Sequence, residues 1–464
     1  MFTYNRKYLR GLILGSLAAL PLFSQPAPPL RWDRDSLLAA ALSSAPSRLS
    51  AESRALQAGA LVKEARAARL PVLRFATDLT ALAREESLTL EAGSFGSFTL
   101  PIPPYPTITL PQEDYKVTLM DTFRLDFKLT LEQPLWTWGR ISESIRAAET
   151  GALAAELEVL KEESRIAARL DISLESLAFF EKMQEILNAQ GEAAERLSVL
   201  SQESYESGFL LRSELYASRV AAAEVRLGLQ SLEENRSRAL LSLRTLTGLA
   251  NLEAGDLILP SPSPEAPDGD PEALINQAAL GNFDLRLLGL NREAARYQLG
   301  AERSRSYFKP DLGLYLQLNY RNPDLRFLSE SLPHDNFLNL SATLGIRSLL
   351  FDGGAQSARI KREEENLAQA SLSLEAALAD LGEYIRGTLL ELELSELRQD
   401  YIRLQIEEAK SRHEQAQNEA AAGYGEERES LIQELTWHLR RLSLLQEQLT
   451  ARIRRIELAA IVNP

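Results

Sequence analysis

Cysteine is absent from this sequence, so an exported chain of this composition uses no disulfide and has no thiol to carry a lipid anchor. Histidine is nearly absent: His334, His413 and His438 are the only ones, and their spacing gives neither a metal-ligand set nor a base beside a nucleophile. His413 reads as a helix-surface residue. There is no Gly-rich phosphate loop and no Glu-x-x-His pair, which removes the signatures of ATP hydrolysis and of a helical di-metal site. Adjacent acids such as Glu363 and Glu364 are ordinary on exposed helices. The expectation is no enzyme, no cofactor and no metal. Long apolar runs are also lacking outside the N-terminus, which excludes spanning helices but not outer-membrane strands, whose signal is only alternation. Excess positive charge is missing too, and a net charge of −14 disfavours nucleic acid as a partner.

What is present starts at the N-terminus. Arg6, Lys7 and Arg10 precede an apolar stretch from Gly11 to Phe23, too short to span a bilayer and suited to a secretory signal. Residues 1–24 are expected to be removed, taking the net charge from −14 to −17. The full 464 residues are 45% hydrophobic and 25% charged, enough for a large core and too apolar for disorder.

The chain repeats itself. From Trp136 to Phe351, an offset of 215, Gly139 falls on Gly354, Leu125 on Leu340, Leu129 on Leu344 and Leu131 on Ile346. Polar positions stay in phase, with Arg124, Asp126 and Lys128 on Asn339, Ser341 and Thr343. The same offset lays Gly208 on Gly423 and Glu214 on Glu429. Upstream, Pro71 pairs with Pro310 at an offset of 239, so the first copy carries a longer Gly/Pro-rich loop before its aromatic seam. The first repeat spans 25–250, a Pro- and Asp-rich joint 251–270, and the second repeat 271–464.

Each copy reads as helix, strand, loop, strand and two long helices. Residues 33–69 are Ala- and Leu-rich and favour a helix that Pro71 ends. Period-two alternation predicts strands at about 72–83 and 116–135, then at about 311–321 and 336–350. No proline interrupts the chain between Pro134 and Pro260, or between Pro333 and Pro464. Long helices are therefore expected at about 140–204, 211–247, 355–422 and 427–461. Leu153, Leu157 and Leu160, then Leu170, Leu174 and Leu177, form a narrow coiled-coil-like seam.

Strands that end in aromatics and abut helices about 100 Å long differ from a half-buried soluble sheet. An apolar face toward lipid, a polar face toward a lumen and Trp136, Trp138 and Phe351 at the membrane interface suit a barrel in outer-membrane lipid. Four strands cannot close one, since membrane barrels need about eight. Several chains must contribute.

The duplicated pattern of strand, then "QPLWTWG" or "SLLFDGG", then a long helix, with a tip glycine followed six residues later by an acid, resembles the TolC family of outer-membrane efflux proteins. The resemblance implies a mostly α fold with membrane β-strands: a homotrimer whose protomers each give four strands to a twelve-stranded barrel, continued by an α-helical coiled-coil tunnel into the periplasm. It implies a passive exit duct that docks a periplasmic adaptor and an inner-membrane transporter. The matching adaptor-contacting tips are Ser207, Gly208, Phe209 and Leu210, then Ala422, Gly423, Tyr424 and Gly425. Read without the family, Gly208 and Gly423 serve a tight helix reversal. Glu214 and Glu429 become candidate entrance acids, although Ile432 stands where the family pattern has a further acid. The rival is a soluble periplasmic coiled-coil adaptor or scaffold without a pore, which expects one hairpin per chain and not two.

Overall fold

The computed structural model describes residues 31–81, 83–84, 86–104, 106–120, 123–259, 270–322 and 337–463. The expected signal segment 1–24, residues 260–269 of the joint and His334 lie outside them. In chain order the helices are α1 (Arg34–Ser44), α2 (Pro46–Ala67), α3 (Arg140–Glu206), α4 (Arg212–Thr247), α5 (Pro271–Gly281), α6 (Phe283–Ser304), α7 (Ala355–Ala421) and α8 (Glu427–Val462). The strands are β1 (Val72–Ala81), β2 (Glu86–Leu90), β3 (Ser97–Thr99), β4 (Thr107–Thr109), β5 (Tyr115–Met120), β6 (Phe123–Trp136), β7 (Asp311–Asn322) and β8 (Phe337–Arg347).

The two repeats match in helix length: α3 and α7 have 67 residues each, and α4 and α8 have 36 each. At 1.5 Å per residue the longer pair runs about 100 Å. Both start after a left-handed glycine, Gly139 at φ 88° and Gly354 at φ 89°, a backbone that side chains resist and glycine adopts freely. The helix expected from 33 to 69 is instead two. Asp33 caps α1 by accepting from the Ser36 N–H at 3.0 Å, and Pro46 opens α2 at its first position, where a missing N–H costs nothing.

α3 and α7 are the continuous staves, and shorter helices fill the wall beside them. α2 packs on α3, and α6 lies against both α3 and α7. Farther along, α4 packs on α3, and α8 packs on both α3 and α7. Two cores mark the middle of the wall. Leu37, Leu170, Leu174, Leu177 and Leu243 gather in the first repeat; Leu274, Ile385, Leu392 and Leu458 gather in the second.

The main sheet has the order β1-β6-β7-β8, antiparallel throughout. The strand expected over 116–135 is divided: β5 pairs with β2 in a separate ribbon, and only β6 joins the main sheet. The stretch expected as a Gly/Pro-rich loop holds two ribbons, β2–β5 and β3–β4. Its prolines and left-handed glycines Gly93 and Gly96 mark turns, and they mask short strands between them. β8 ends at Arg347, three residues short of the expected 350, so Ser348, Leu349 and Leu350 bridge to α7 outside the sheet.

Candidate functional site

Register sorts the main sheet into two chemically distinct faces. Phe75 faces Leu129, Leu129 faces Leu318, and Leu318 faces Leu340. Along the next ladders Leu131, Leu316 and Ala342 align, as do Phe127, Tyr320 and Leu338. Phe127 stacks with Phe75 and Tyr320, ring centroids 6.0 Å apart in both cases. One side is thus an apolar sheet, and its large side chains are solvent-exposed: Phe75 64%, Leu340 72%, Ile346 72%. A contiguous exposed apolar face of this extent marks contact with lipid or another chain.

The opposite face carries Arg74, Asp78, Asp126, Lys128, Thr130, Glu132, Gln317, Asn319, Asn339, Ser341 and Thr343. Arg74 pairs with Glu132 at 2.8 Å. Tyr315 lies over two glycines; a Cβ on Gly313 or Gly345 would meet its ring at 3.2 or 3.1 Å. These glycines make room for the ring, a constraint invisible in the sequence because it joins two strands. Among the described residues both outer strands of the sheet, β1 and β8, have one neighbour each, leaving two rows of backbone donors and acceptors open for pairing.

At the seam between sheet and staves, Trp136 and Trp138 sit edge to face with centroids 6.0 Å apart, 58% and 44% exposed. The Trp138 indole donates to the Pro310 carbonyl at 2.8 Å, and Arg140 pairs with Asp311 at 2.6 Å. The first repeat's seam is thereby tied to the start of β7. In the second repeat Phe351 is exposed, while Asp352 accepts from the Tyr307 hydroxyl and pairs with Arg359 at 3.2 Å. That hydroxyl, together with backbone donors and Arg359, holds the Asp352 carboxyl below its ordinary range.

The other end of the molecule carries two hairpin tips. Gly208 at φ 77° and Gly423 at φ 75° follow α3 and α7, and the next residue closes the turn: Phe209 N–H to Ser204 O and Tyr424 N–H to Glu419 O, each 2.9 Å. This is a Schellman-type ending, in which a left-handed glycine satisfies the last carbonyls. Phe209 and Tyr424 stand out at 88% and 91% exposed; Ser207, Ala422 and Gly423 are exposed with them. Leu210 departs from this group, being 7% exposed and turned inward. Its counterpart Gly425 has no room for a side chain, since a Cβ there would meet Glu419 at 3.0 Å.

Of the two candidate acids, Glu214 accepts from the Leu211 N–H at 3.1 Å, half of a capping box. Glu429 accepts from the Gln433 amide at 2.7 Å. Glu427 pairs with Arg196 of α3, and Glu426 remains highly exposed. Between the tips, α4 and α8 flank a groove of about 550 Å³ floored by Leu187 and Leu197 of α3.

Several contacts are beyond what the sequence signals. His413, expected on a helix surface, is half-buried and its ring lies 6.0 Å from Trp437, nearly parallel at 9°. Glu175 of α3, 4% exposed, pairs with Arg452 of α8 at 3.0 Å. Among the described residues no cluster of three His, Cys, Asp or Glu is arranged to hold a metal, and no helix is long and apolar enough to cross a membrane.

Residues 274–463 match the family model described as outer membrane efflux protein. No curated protein matches the chain. Among solved structures, the outer membrane protein VceC of Vibrio cholerae is similar at a TM-score of 0.68 and 19% identity, covering 92% of this chain and 95% of its own. The CmeC outer membrane channel of Campylobacter jejuni gives 0.70 and 15%, with 92% and 85% covered. The MtrE outer membrane channel of Neisseria gonorrhoeae, in its open state, gives 0.63 and 16%, with 94% and 89% covered. At these identities the likeness is one of fold. The family match falls on the second repeat, residues 274–463; the first repeat has the same architecture, and the fold is shared with these structures along nearly the whole length, so the chain is similar to outer membrane efflux proteins.

Proposed function

We propose that three copies of this chain form the exit duct of an export system. β8 of one copy pairs with β1 of the next, closing a twelve-stranded barrel whose apolar face meets outer-membrane lipid and whose polar face lines a water-filled lumen. Trp136, Trp138 and Phe351 sit at the inner membrane–water boundary, where aromatic rings are favoured. The staves continue the lumen through the periplasm. The tips, led by Phe209 and Tyr424, meet a periplasmic adaptor, which joins the duct to an inner-membrane transporter that supplies the energy. Leu210, turned inward, holds its own tip together and leaves the contact to its neighbours.

The observation that carries this reading is the main sheet: one apolar exposed face, one polar face and two unpaired edges on the same four strands. A sheet of this kind is unstable alone in water and stable once closed in hydrocarbon. The soluble-adaptor rival expects a single hairpin, and the chain has two, α3/α4 and α7/α8, each joined to a strand of the sheet. Glu429, repeated three times around the axis, contributes negative charge at the entrance and draws cations. Conductance of the detergent-purified protein in planar bilayers tests both points. Discrete single-channel steps that favour cations, with the preference weakened in Glu429→Gln, are the expected result. A water-soluble monomer without conductance overturns the proposal.

A further inference from the structure

A column of rings crosses the α7/α8 hairpin about three turns above its tip. His413 lies against Trp437, the Arg441 guanidinium lies over that indole at 5.0 Å, and Trp437 meets His438 at 5.1 Å. The Nδ1 of His413 lies 3.1 Å from the Ser430 carbonyl, so this nitrogen carries a proton and donates it. His438 is held differently. It is 4% exposed, and its Nδ1 is enclosed without a hydrogen-bond partner among the described residues. Its Nε2 stands 3.8 Å from Glu434, beyond hydrogen-bond reach. The Trp437 indole N–H is enclosed and unpartnered in the same way. Both atoms are shut in by their own chain, so no neighbouring copy and no other protein touches them while the hairpin keeps this packing.

We propose that this column is a proton-operated latch on the entrance: acidification charges His438, the imidazolium leaves its enclosed position toward Glu434 and water, and the α7/α8 tip loosens from α3. The inference rests on the channel reading above. On α8 the charged groups acting on His438 are Glu434, which favours its proton, and Arg441, which opposes it. On α7 the group is His413; the nearby Arg412 and Lys410 are exposed and paired with Glu408 and Glu414. From α3, between the contacts at Leu187 and Ala193, comes the uncharged, buried Gln190, while Glu192 is exposed. Burial first, then Arg441, holds the His438 imidazole below its ordinary 6.5.

The direction follows. Above 6.5 both packed and loosened hairpins carry a neutral His438; as pH falls below that value the loosened form binds the proton first, and the packed form loses ground. Each chain's histidine shifts the open-to-closed ratio by at most about tenfold per pH unit. The full-length protein in planar bilayers, acidified from about pH 7.5 to about pH 5.5, should therefore spend more time open. His438→Gln should abolish that rise and His413→Gln should retain it. A rise that survives in His438→Gln overturns the latch, as does a wild-type channel indifferent to pH; absence of conductance at every pH overturns the channel reading instead. Should His438→Gln fail to assemble, tryptophan emission of His413→Gln against His413→Gln with Trp437→Phe decides the matter, because loosening the hairpin carries the enclosed Trp437 indole into water and red-shifts its emission. A red shift below pH 6.5 that requires Trp437 supports the latch, and its absence refutes it.

Discussion

Arg452 reaches across from the second repeat and gives both Nη2 and Nε to one oxygen of Glu175, at 3.0 and 3.2 Å, while the other oxygen is enclosed without a partner among the described residues. A buried carboxylate in this position depends on that cation. Removing the cation strands the charge, and replacing both partners by apolar side chains removes the problem. Arg452→Met is accordingly expected to cost about 3 kcal/mol, read as a lowered urea midpoint of the detergent-solubilised protein, with Glu175→Leu added to it recovering most of the loss. Nothing in the sequence announces this pair, whose members stand 277 residues apart. Residues whose conformation is local are more legible. Gly208 and Gly423 show as tip glycines because a left-handed helix end selects glycine at the same place in both copies. His438 is the opposite case: its enclosure depends on three helices meeting, and a single histidine in a helical pattern carries no sign of that.

Among the elements, the strands of the main sheet are legible because their alternation is strict and their register pairs like with like. Leu129, Leu318 and Leu340 fall in one ladder, and Lys128, Asn319 and Asn339 in the next. The β2–β5 and β3–β4 ribbons are not legible, since short strands among prolines and left-handed glycines give a stronger turn signal than strand signal. The break at Ala45–Pro46 is legible in principle, because proline fits the first turn of a helix and rarely its middle; the run of helix-favouring residues on either side obscures it. The two faces of β8 make opposite claims on the same substitution. Leu340→Arg places a charge on the apolar side near the middle of the strand, at a cost of about 2–4 kcal/mol in a bilayer, whereas Asn339→Arg lies on the polar side. The first should sharply reduce the folded, protease-resistant protein recovered from outer membranes, and the second should leave it near the wild-type level. Equal recovery of the two would show that neither face of the sheet meets lipid, and the reverse order that the faces are assigned the wrong way round.

At the scale of the whole molecule, the internal repeat sets the plan: two equal hairpins, each with strands at one end and a glycine tip at the other. The sequence carries that plan openly because the offset of 215 residues keeps seam, stave and tip in phase. What it does not carry is how the two halves grip each other, through Trp138 and Pro310, Arg140 and Asp311, and α6 wedged between α3 and α7. With β1 and β8 each lacking a neighbour on one side among the described residues, the proposed barrel needs further copies of the chain. Sedimentation of the detergent-extracted protein should give the mass of three chains, about 155 kDa from a full chain mass of 51.6 kDa, less the three removed signal segments. A stable single-chain species with an intact sheet would count against the arrangement. The unfinished edges also bear on inheritance. If one aperture is shared by three chains, a cell making equal amounts of sound and faulty polypeptide builds only about one in eight assemblies wholly from sound copies. A lesion that spares β1 and β8 but ruins a tip should then poison its healthy siblings, while a lesion in those two strands should merely be lost from the pool.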